Sequence, residues 1–299
     1  KISENIQRAK KYFNDAIRKL NYPGNYNYCY CTKSSHFAHV LVEALKNDIY
    51  LETSSAFDID VIERLYLNKM LYKDTLVVCN GFKTKIYTQR ISKLANLDFN
   101  IMPVLDNMEE LEAYENTIIY DCDLGIRIAS EEQPEFQLYT SRLGIRYKEI
   151  KDFYLNKIKP NPKFKLKMLH FFINSGIKDN IYYWNELSKL LKVYVELKRV
   201  CPELDSLNIG GGWPFRSSLG FEYDYAYMAE EILNKIKQTC EEENVSCPNI
   251  FTEFGSFTVA ESGAFIFSVL AEKHQNDSER WYMIDNSLMT TMPDSWGIN

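Results

Sequence analysis

A short apolar run followed by an amphipathic helical pattern recurs eight times along this chain, and that repetition constrains its fold more than any other feature. Tyr28-Cys-Tyr-Cys31 precedes a helix over 35–46, Ile49-Tyr-Leu51 one over 57–67, and Thr75-Leu-Val-Val-Cys79 one over 85–95. Ile101-Met-Pro-Val-Leu105 precedes 108–114, and Leu124-Gly-Ile-Arg-Ile-Ala129 precedes, after an insertion, 147–158. Leu166-Lys-Met-Leu-His-Phe-Phe172 precedes 182–200, Leu204-Asp-Ser-Leu-Asn-Ile209 precedes 225–242, and Asn249-Ile-Phe-Thr252 precedes a short helix near 257–262. Strands that alternate with helices run parallel and connect by right-handed crossovers. Eight such units over roughly 230 residues are the arithmetic of an α/β fold, a (β/α)8 TIM-type barrel. An open doubly wound sheet carries fewer units and a G-x-G-x-x-G turn after its first strand; no such turn occurs here.

The pattern changes near residue 264. Runs at 265–270 and 281–284 read as strands with no helix between them. The expected organisation is a barrel over 1–264 and, over 265–299, the beginning of a C-terminal β-rich domain that is cut short. A first residue that is not Met and a last run, Trp296-Gly-Ile-Asn299, that closes no element fit a fragment.

Composition removes several function classes. Hydrophobic residues make up 45% and charged residues 25%, which excludes a mostly disordered chain. A net charge of −6 speaks against nucleic-acid binding, which normally requires a basic patch. The apolar runs are far too short to cross a bilayer. The seven cysteines show no C-x-x-C spacing, and several sit in strand-like runs where a thiol acts as a small hydrophobe. A reducing cytoplasm without disulfides is expected. No metal site is expected either: His36 and His39 have helix-compatible spacing, but no third ligand accompanies them.

In a barrel of this type, reactive groups lie at the C-terminal ends of the strands. That rule selects Lys33, Glu52, Asn80, Asp106, Arg127, the segment from Phe172 to Ser175, Gly210 to Gly212, and Glu253. Lys33 would point into the barrel mouth, where desolvation lowers a lysine's pKa and frees the amine to form a Schiff base; the plain alternative is an exposed strand-end lysine. Gly210-Gly-Gly212 lets backbone N–H groups approach an anion, at the usual phosphate position of such barrels; the plain alternative is a tight turn. Glu253, placed against a pyridine nitrogen, would hold a proton there and make the ring an electron sink. Ser175 could donate to a phosphate or simply occupy a turn. Arg127 lies within a strand, where an ion pair or an anion contact is required. Glu52 could pair with Lys33 or lead into the next helix.

Together these residues form the kit of a pyridoxal-phosphate enzyme, and the chain resembles the barrel-type, alanine-racemase-like pyridoxal-phosphate decarboxylases. The resemblance runs in order through Tyr30-Cys-Thr-Lys33, Leu51-Glu-Thr-Ser-Ser55, Cys79-Asn-Gly-Phe-Lys83, Ser141-Arg-Leu-Gly144, His170-Phe-Phe-Ile-Asn-Ser175, Ile209-Gly-Gly-Gly212 and Thr252-Glu-Phe-Gly-Ser256. Within that superfamily it is most similar to a bacterial arginine-decarboxylase group, on Thr32-Lys-Ser-Ser-His36, Glu52-Thr-Ser-Ser-Ala-Phe-Asp58, Met283-Ile-Asp285 and Pro293-Asp-Ser-Trp296. The resemblance implies that Lys33 carries pyridoxal 5'-phosphate, that Glu253 faces its ring nitrogen, and that Lys33 and Glu253 are catalytic. It further implies that Gly211, Gly212, Gly255 and Ser175 hold the phosphate, that Glu52 sits beside the lysine, and that Arg127 lies near the ring. Two positions depart from the family pattern. Phe172 stands where relatives commonly stack a histidine, with His170 one layer deeper, and Ser256 stands where relatives often have arginine.

The implied activity is decarboxylation of a basic amino acid, L-arginine to agmatine, as in polyamine biosynthesis. The alternatives within the fold are ornithine, lysine or diaminopimelate decarboxylation, or a non-catalytic pyridoxal-phosphate-binding homologue. A racemase would place arginine rather than Glu253 against the ring nitrogen. The resemblance also implies a homodimer with the active site at its interface, a small-molecule amino-acid substrate, and neither a nucleic-acid nor a membrane partner.

Overall fold

The computed structural model describes residues 1–130, 141–173 and 175–291; Asn174 and the run Pro293–Trp296 lie outside the described residues. The chain divides into two compact units, Lys1–Ser262 and Gly263–Asn299.

The first unit runs α1 (Ile2–Leu20), β1 (Tyr26–Cys31), α2 (Ala38–Leu45), β2 (Tyr50–Thr53), α3 (Ala56–Leu67), β3 (Val77–Cys79), α4 (Lys85–Asn96), β4 (Ile101–Leu105) and α5 (Glu110–Thr117). It continues with β5 (Cys122–Arg127), α6 (Tyr147–Phe153), β6 (Phe164–His170), α7 (Ile181–Lys198), β7 (Ser206–Asn208), α8 (Tyr225–Glu242), β8 (Asn249–Glu253) and α9 (Ser256–Val259). The eight strands are parallel, each pairs with the next, and β1 pairs with β8, so the sheet closes into a barrel. The TIM-type barrel read from the sequence is the fold.

Two apolar layers hold it together. Inside the ring, Cys29, Leu76, Val78, Met102, Val104, Met168 and Phe251 pack into a plug. Outside it, the opposite strand faces meet the apolar stripes of the helices in one continuous core. Alternation along a strand sends successive side chains to these two layers, which is why the strands read as unbroken apolar runs. α1 precedes the first strand and buries Ile2, Ile6, Ala9, Phe13 and Ala16, a stripe at helical spacing. Its buried Asn5 donates from Nδ2 to the carbonyls of Phe257 and Thr258, tying the start of the chain to α9.

Three local differences from the sequence reading have physical causes. α2 starts at Ala38 rather than 35, because Thr32–Ser34 forms a 3-10 turn and His36 is drawn aside to Asp58, with Nε2 to Oδ1 at 2.7 Å. The histidines therefore do not share a helix face. The helix expected over 147–158 widens into a π turn at Tyr154–Ile158, where the Lys159 N–H bonds back to the Tyr154 carbonyl. In the second unit, β9 (Val269–His274) and β10 (Arg280–Ile284) form an antiparallel hairpin, followed by α10 (Leu288–Thr291). Its first strand begins later than the run at 265. Among the described residues, no helix is long and apolar enough to cross a membrane.

Candidate active site

The C-terminal ends of the strands enclose a cavity of about 370 Å3, within the range of small-molecule sites. Of the residues selected from the sequence, Lys33, Glu52, Arg127, Phe172, Gly211, Gly212, Glu253, Gly255 and Ser256 line it. Ser175 does not, although its Oγ is buried with no hydrogen-bond partner among the described residues. Of the remaining strand-end residues, Asn80 lines the cavity and Asp106 does not. Asp106 instead accepts the Gly144 N–H on Oδ1, a loop-fixing bond.

Barrel closure brings the central groups together. In the β1–β2 ladder Cys31 lies opposite Glu52, and in the β1–β8 ladder Cys29 lies opposite Glu253. Lys33 follows two residues after β1 on the 3-10 turn. The Thr32 hydroxyl donates to the Glu52 carbonyl at 3.0 Å and the Cys31 thiol to the Glu253 carbonyl at 3.0 Å, so the turn is fixed on both sides. Lys33 is accessible to solvent at the open mouth, with protein walls close around it. Its Nζ lies 6.0 Å from the centre of the Phe172 ring, and the Arg127 guanidinium lies 5.8 Å from the same centre. Phe172 is thus the aromatic floor between two cations. His170, buried one layer below, reaches Glu253 instead: Nε2 is 3.3 Å from Oε2, without the alignment of a hydrogen bond.

Two sequence expectations fail here. No direct ion pair joins Lys33 to Glu52 among the described residues, and the Lys33 pKa is raised rather than lowered. Burial does pull it down, but the fields of Glu52, Cys31 and Glu253 outweigh that pull. The sequence placed both acids at the mouth but did not show that their fields outweigh the desolvation.

Those acids are unequal. Burial, and then the charge of Glu253, push Glu52 up to about 7, against the pull of Lys33. Burial would also raise Glu253, but His170, the Asn80 amide and Lys33 prevail and hold it well below the usual carboxylate range. Both acids lie almost entirely out of solvent. His170 is itself held below its ordinary value by burial.

The phosphate-side loops are packed backbone to backbone. Gly176 and Gly212 both have positive φ, and a Cβ on Gly176 would lie 2.5 Å from the Gly212 carbonyl oxygen. The Ile177 N–H bonds to that same oxygen at 3.0 Å, so the loops after β6 and β7 interlock. A Cβ on Gly255 would collide with Ser34 Oγ. Asn208, the last residue of β7, was not selected from the sequence; its amide donates to Glu253 Oε1 at 2.6 Å. The available signal was an amide between Leu207 and Ile209 at the end of the seventh strand run, where a buried amide requires a partner. Arg142 also lines the mouth, within the Ser141–Gly144 motif, and adds a further cation.

These groups fit pyridoxal 5'-phosphate. Lys33 is placed for an aldehyde, a buried carboxylate for a ring nitrogen, and the glycine loops with Ser256 for a phosphate.

Comparison with known proteins agrees with this chemistry. The family described as pyridoxal-dependent decarboxylase, pyridoxal binding domain, matches residues 2–260. The biosynthetic arginine decarboxylase of Pelobacter propionicus is 28% identical over 91% of this chain and 45% of its own length. The solved biosynthetic arginine decarboxylase of Campylobacter jejuni superposes with a TM-score of 0.75 at 23% identity, covering 92% of this chain and 46% of that one. Diaminopimelate decarboxylase from Helicobacter pylori, solved with L-lysine, gives 0.76 at 20% identity over 98% and 71%. The chain spans less than half the length of the curated arginine decarboxylases it matches.

Proposed function

We propose a function for a chain that belongs to the pyridoxal-dependent decarboxylases through their pyridoxal-binding domain: it holds pyridoxal 5'-phosphate at the barrel mouth, and the protein containing it decarboxylates L-arginine to agmatine. The observation that carries this reading is the meeting of Lys33 with a buried, ionised Glu253 at one mouth. Arginine as the substrate is supported by the names of the curated relatives.

When bound, the cofactor supplies an aldehyde for the substrate amine and a ring that accepts the electron pair left as CO2 departs. Lys33 binds that aldehyde through Nζ. Glu253 holds a proton at the ring nitrogen, and its ionised state favours that role. Phe172 supports the ring face by stacking. Gly211, Gly212 and Gly255 offer backbone N–H groups to the phosphate, with Ser175 and Ser256 adding hydroxyls. Arg127 and Glu52 flank the ring and the lysine.

Residues 265–299 begin a C-terminal β domain in this reading, supported by the β9–β10 hairpin. The active protein is a cytoplasmic homodimer with its active sites at the interface. Support comes from Phe37, Phe57 and Phe82, all exposed on segments leaving β1, β2 and β3 at the mouth, and from seven free cysteines.

The deciding experiment offers arginine, ornithine, lysine and diaminopimelate separately to the full-length protein and measures CO2. Arginine should dominate; release from none of the four would overturn the reading. Lys33→Ala should abolish both CO2 release and the absorbance of the bound cofactor, and unchanged absorbance would remove Lys33 from its role.

A further inference from the structure

Asn80 follows β3 at the floor of the mouth and is buried. Its Nδ2 donates to Glu253 Oε1 at 2.7 Å and to Glu52 Oε1 at 3.2 Å. From β7, Asn208 Nδ2 donates to the same Glu253 Oε1 at 2.6 Å. The orientation of Asn208 is fixed independently, because its Oδ1 accepts the Gly210 N–H at 2.9 Å. Turning Asn80 the other way would press its carbonyl oxygen against two carboxyl oxygens, so the amide is held by an ionised acceptor.

The two acids fare differently in this network. Glu253 Oε1 takes two short amide bonds, and its Oε2 lies 3.3 Å from His170 Nε2. Glu52 receives only the longer bond, and its Oε2 is buried with no partner among the described residues. Amide bonds to an ionised oxygen are the stronger kind, and two acids sharing one donor in a dry site do not both ionise readily. Resting on the reading that Glu253 faces the ring nitrogen, we propose that Asn80, with Asn208, is a positioning residue that makes these acids unequal: it commits Glu253 to the carboxylate form with Oε2 open to the ligand, and leaves Glu52 as the acid that keeps its proton.

Among the titratable groups around the pair, His170 adds to this asymmetry, and the amides act beside it. Cys29 and Cys31, on β1, are held above their ordinary values, by burial first. Cys79, at the end of β3, is likewise pushed up by burial. Lys33 acts on both acids, so it lowers both. His170, on β6, lies with Nε2 3.3 Å from Glu253 Oε2 and favours its ionised form, while burial pulls its own pKa down; Arg127 stands on β5. The amides are the hydrogen-bond donors that bind one acid better than the other, two short bonds against one longer one.

The test is NMR of cofactor-free protein labelled with 13C only in glutamate, with resonances assigned through Glu52→Gln and Glu253→Gln. Wild type should show one acid titrating below the ordinary range and the other above it. Asn80→Leu keeps the volume but removes both donors, and should narrow that gap by at least one pH unit, a tenfold change in relative ionisation. Asn80→Asp, nearly isosteric and silent in this labelling, should do the same and decides the matter if the leucine variant does not fold. An undiminished gap in a folded variant overturns the proposal. Pyridoxal phosphate titrated into wild type, followed by absorbance, separates the two readings. Failure to bind it sinks the cofactor role, whereas normal binding with an unchanged gap sinks the Asn80 assignment alone.

Discussion

Glu52 sits where its charge is least welcome, beside an ionised Glu253 and out of water. Its raised pKa means the folded chain binds its proton more tightly than the unfolded chain does. Between the ordinary value of 4.5 and about 7, the native state therefore holds more protons, and stability falls as pH rises through that window. Glu253 has the opposite sign: its depressed pKa adds stability above 4.5 that is lost as pH falls toward about 2. Glu52→Gln should therefore match wild type near pH 4.5 but exceed it at pH 8 by up to about 3 kcal/mol, at about 1.4 kcal/mol per unit. Urea denaturation at the two pH values measures this; equal stabilities at pH 8 would show that Glu52 carries no such penalty. Glu253→Gln should lower kcat by two orders of magnitude or more, on the order of 3 kcal/mol in the barrier, while the cofactor remains bound. A variant with near-normal turnover would remove Glu253 from the ring nitrogen. Lys33 and Glu253 were legible in the sequence because strand ends are where barrels place chemistry. The sign of the Lys33 shift was not, because it depends on Glu52 and Glu253 standing on the two strands that flank β1, a fact of ladder register.

Elements were legible where their period was strong. All eight strand–helix units formed, since alternating apolar runs and helical stripes leave a parallel barrel as the arrangement that buries both. Boundaries shifted where side chains competed with the helix pattern, as when His36 binds Asp58 and α2 starts late. The π turn at Tyr154–Ile158 left no mark in the hydrophobic period. Glycine content announced the loop after β7, but its partnership with Gly176 in the loop after β6 appears only in three dimensions. Gly176→Ala places a Cβ at positive φ and 2.5 Å from a carbonyl oxygen. It should cost on the order of 1–3 kcal/mol in urea unfolding and weaken pyridoxal-phosphate binding. Full stability with intact binding would mean the two loops part without consequence.

On the scale of the whole molecule, the exposed phenylalanines at the mouth bear on assembly. If the dimer proposed above uses them, the combined change Phe37→Asp and Phe82→Asp should shift sedimentation of the full-length protein toward monomer without altering its helical circular dichroism. An unchanged dimer would place the interface elsewhere. At the other end of the barrel's history stands its closure. Cys31, two residues before the lysine, meets Glu253 across 222 residues of sequence, and β1 finds its last neighbour only in β8. A chain still emerging from the ribosome carries its lysine early and its acid late. Until β8 has been synthesised, Lys33 follows a strand that lacks one of its two neighbours, and Glu253 is absent from its surroundings. In the reading proposed above, emergence of β8 is thus the step that brings the lysine its acid, and a product terminated before Asn249 cannot close the barrel around it.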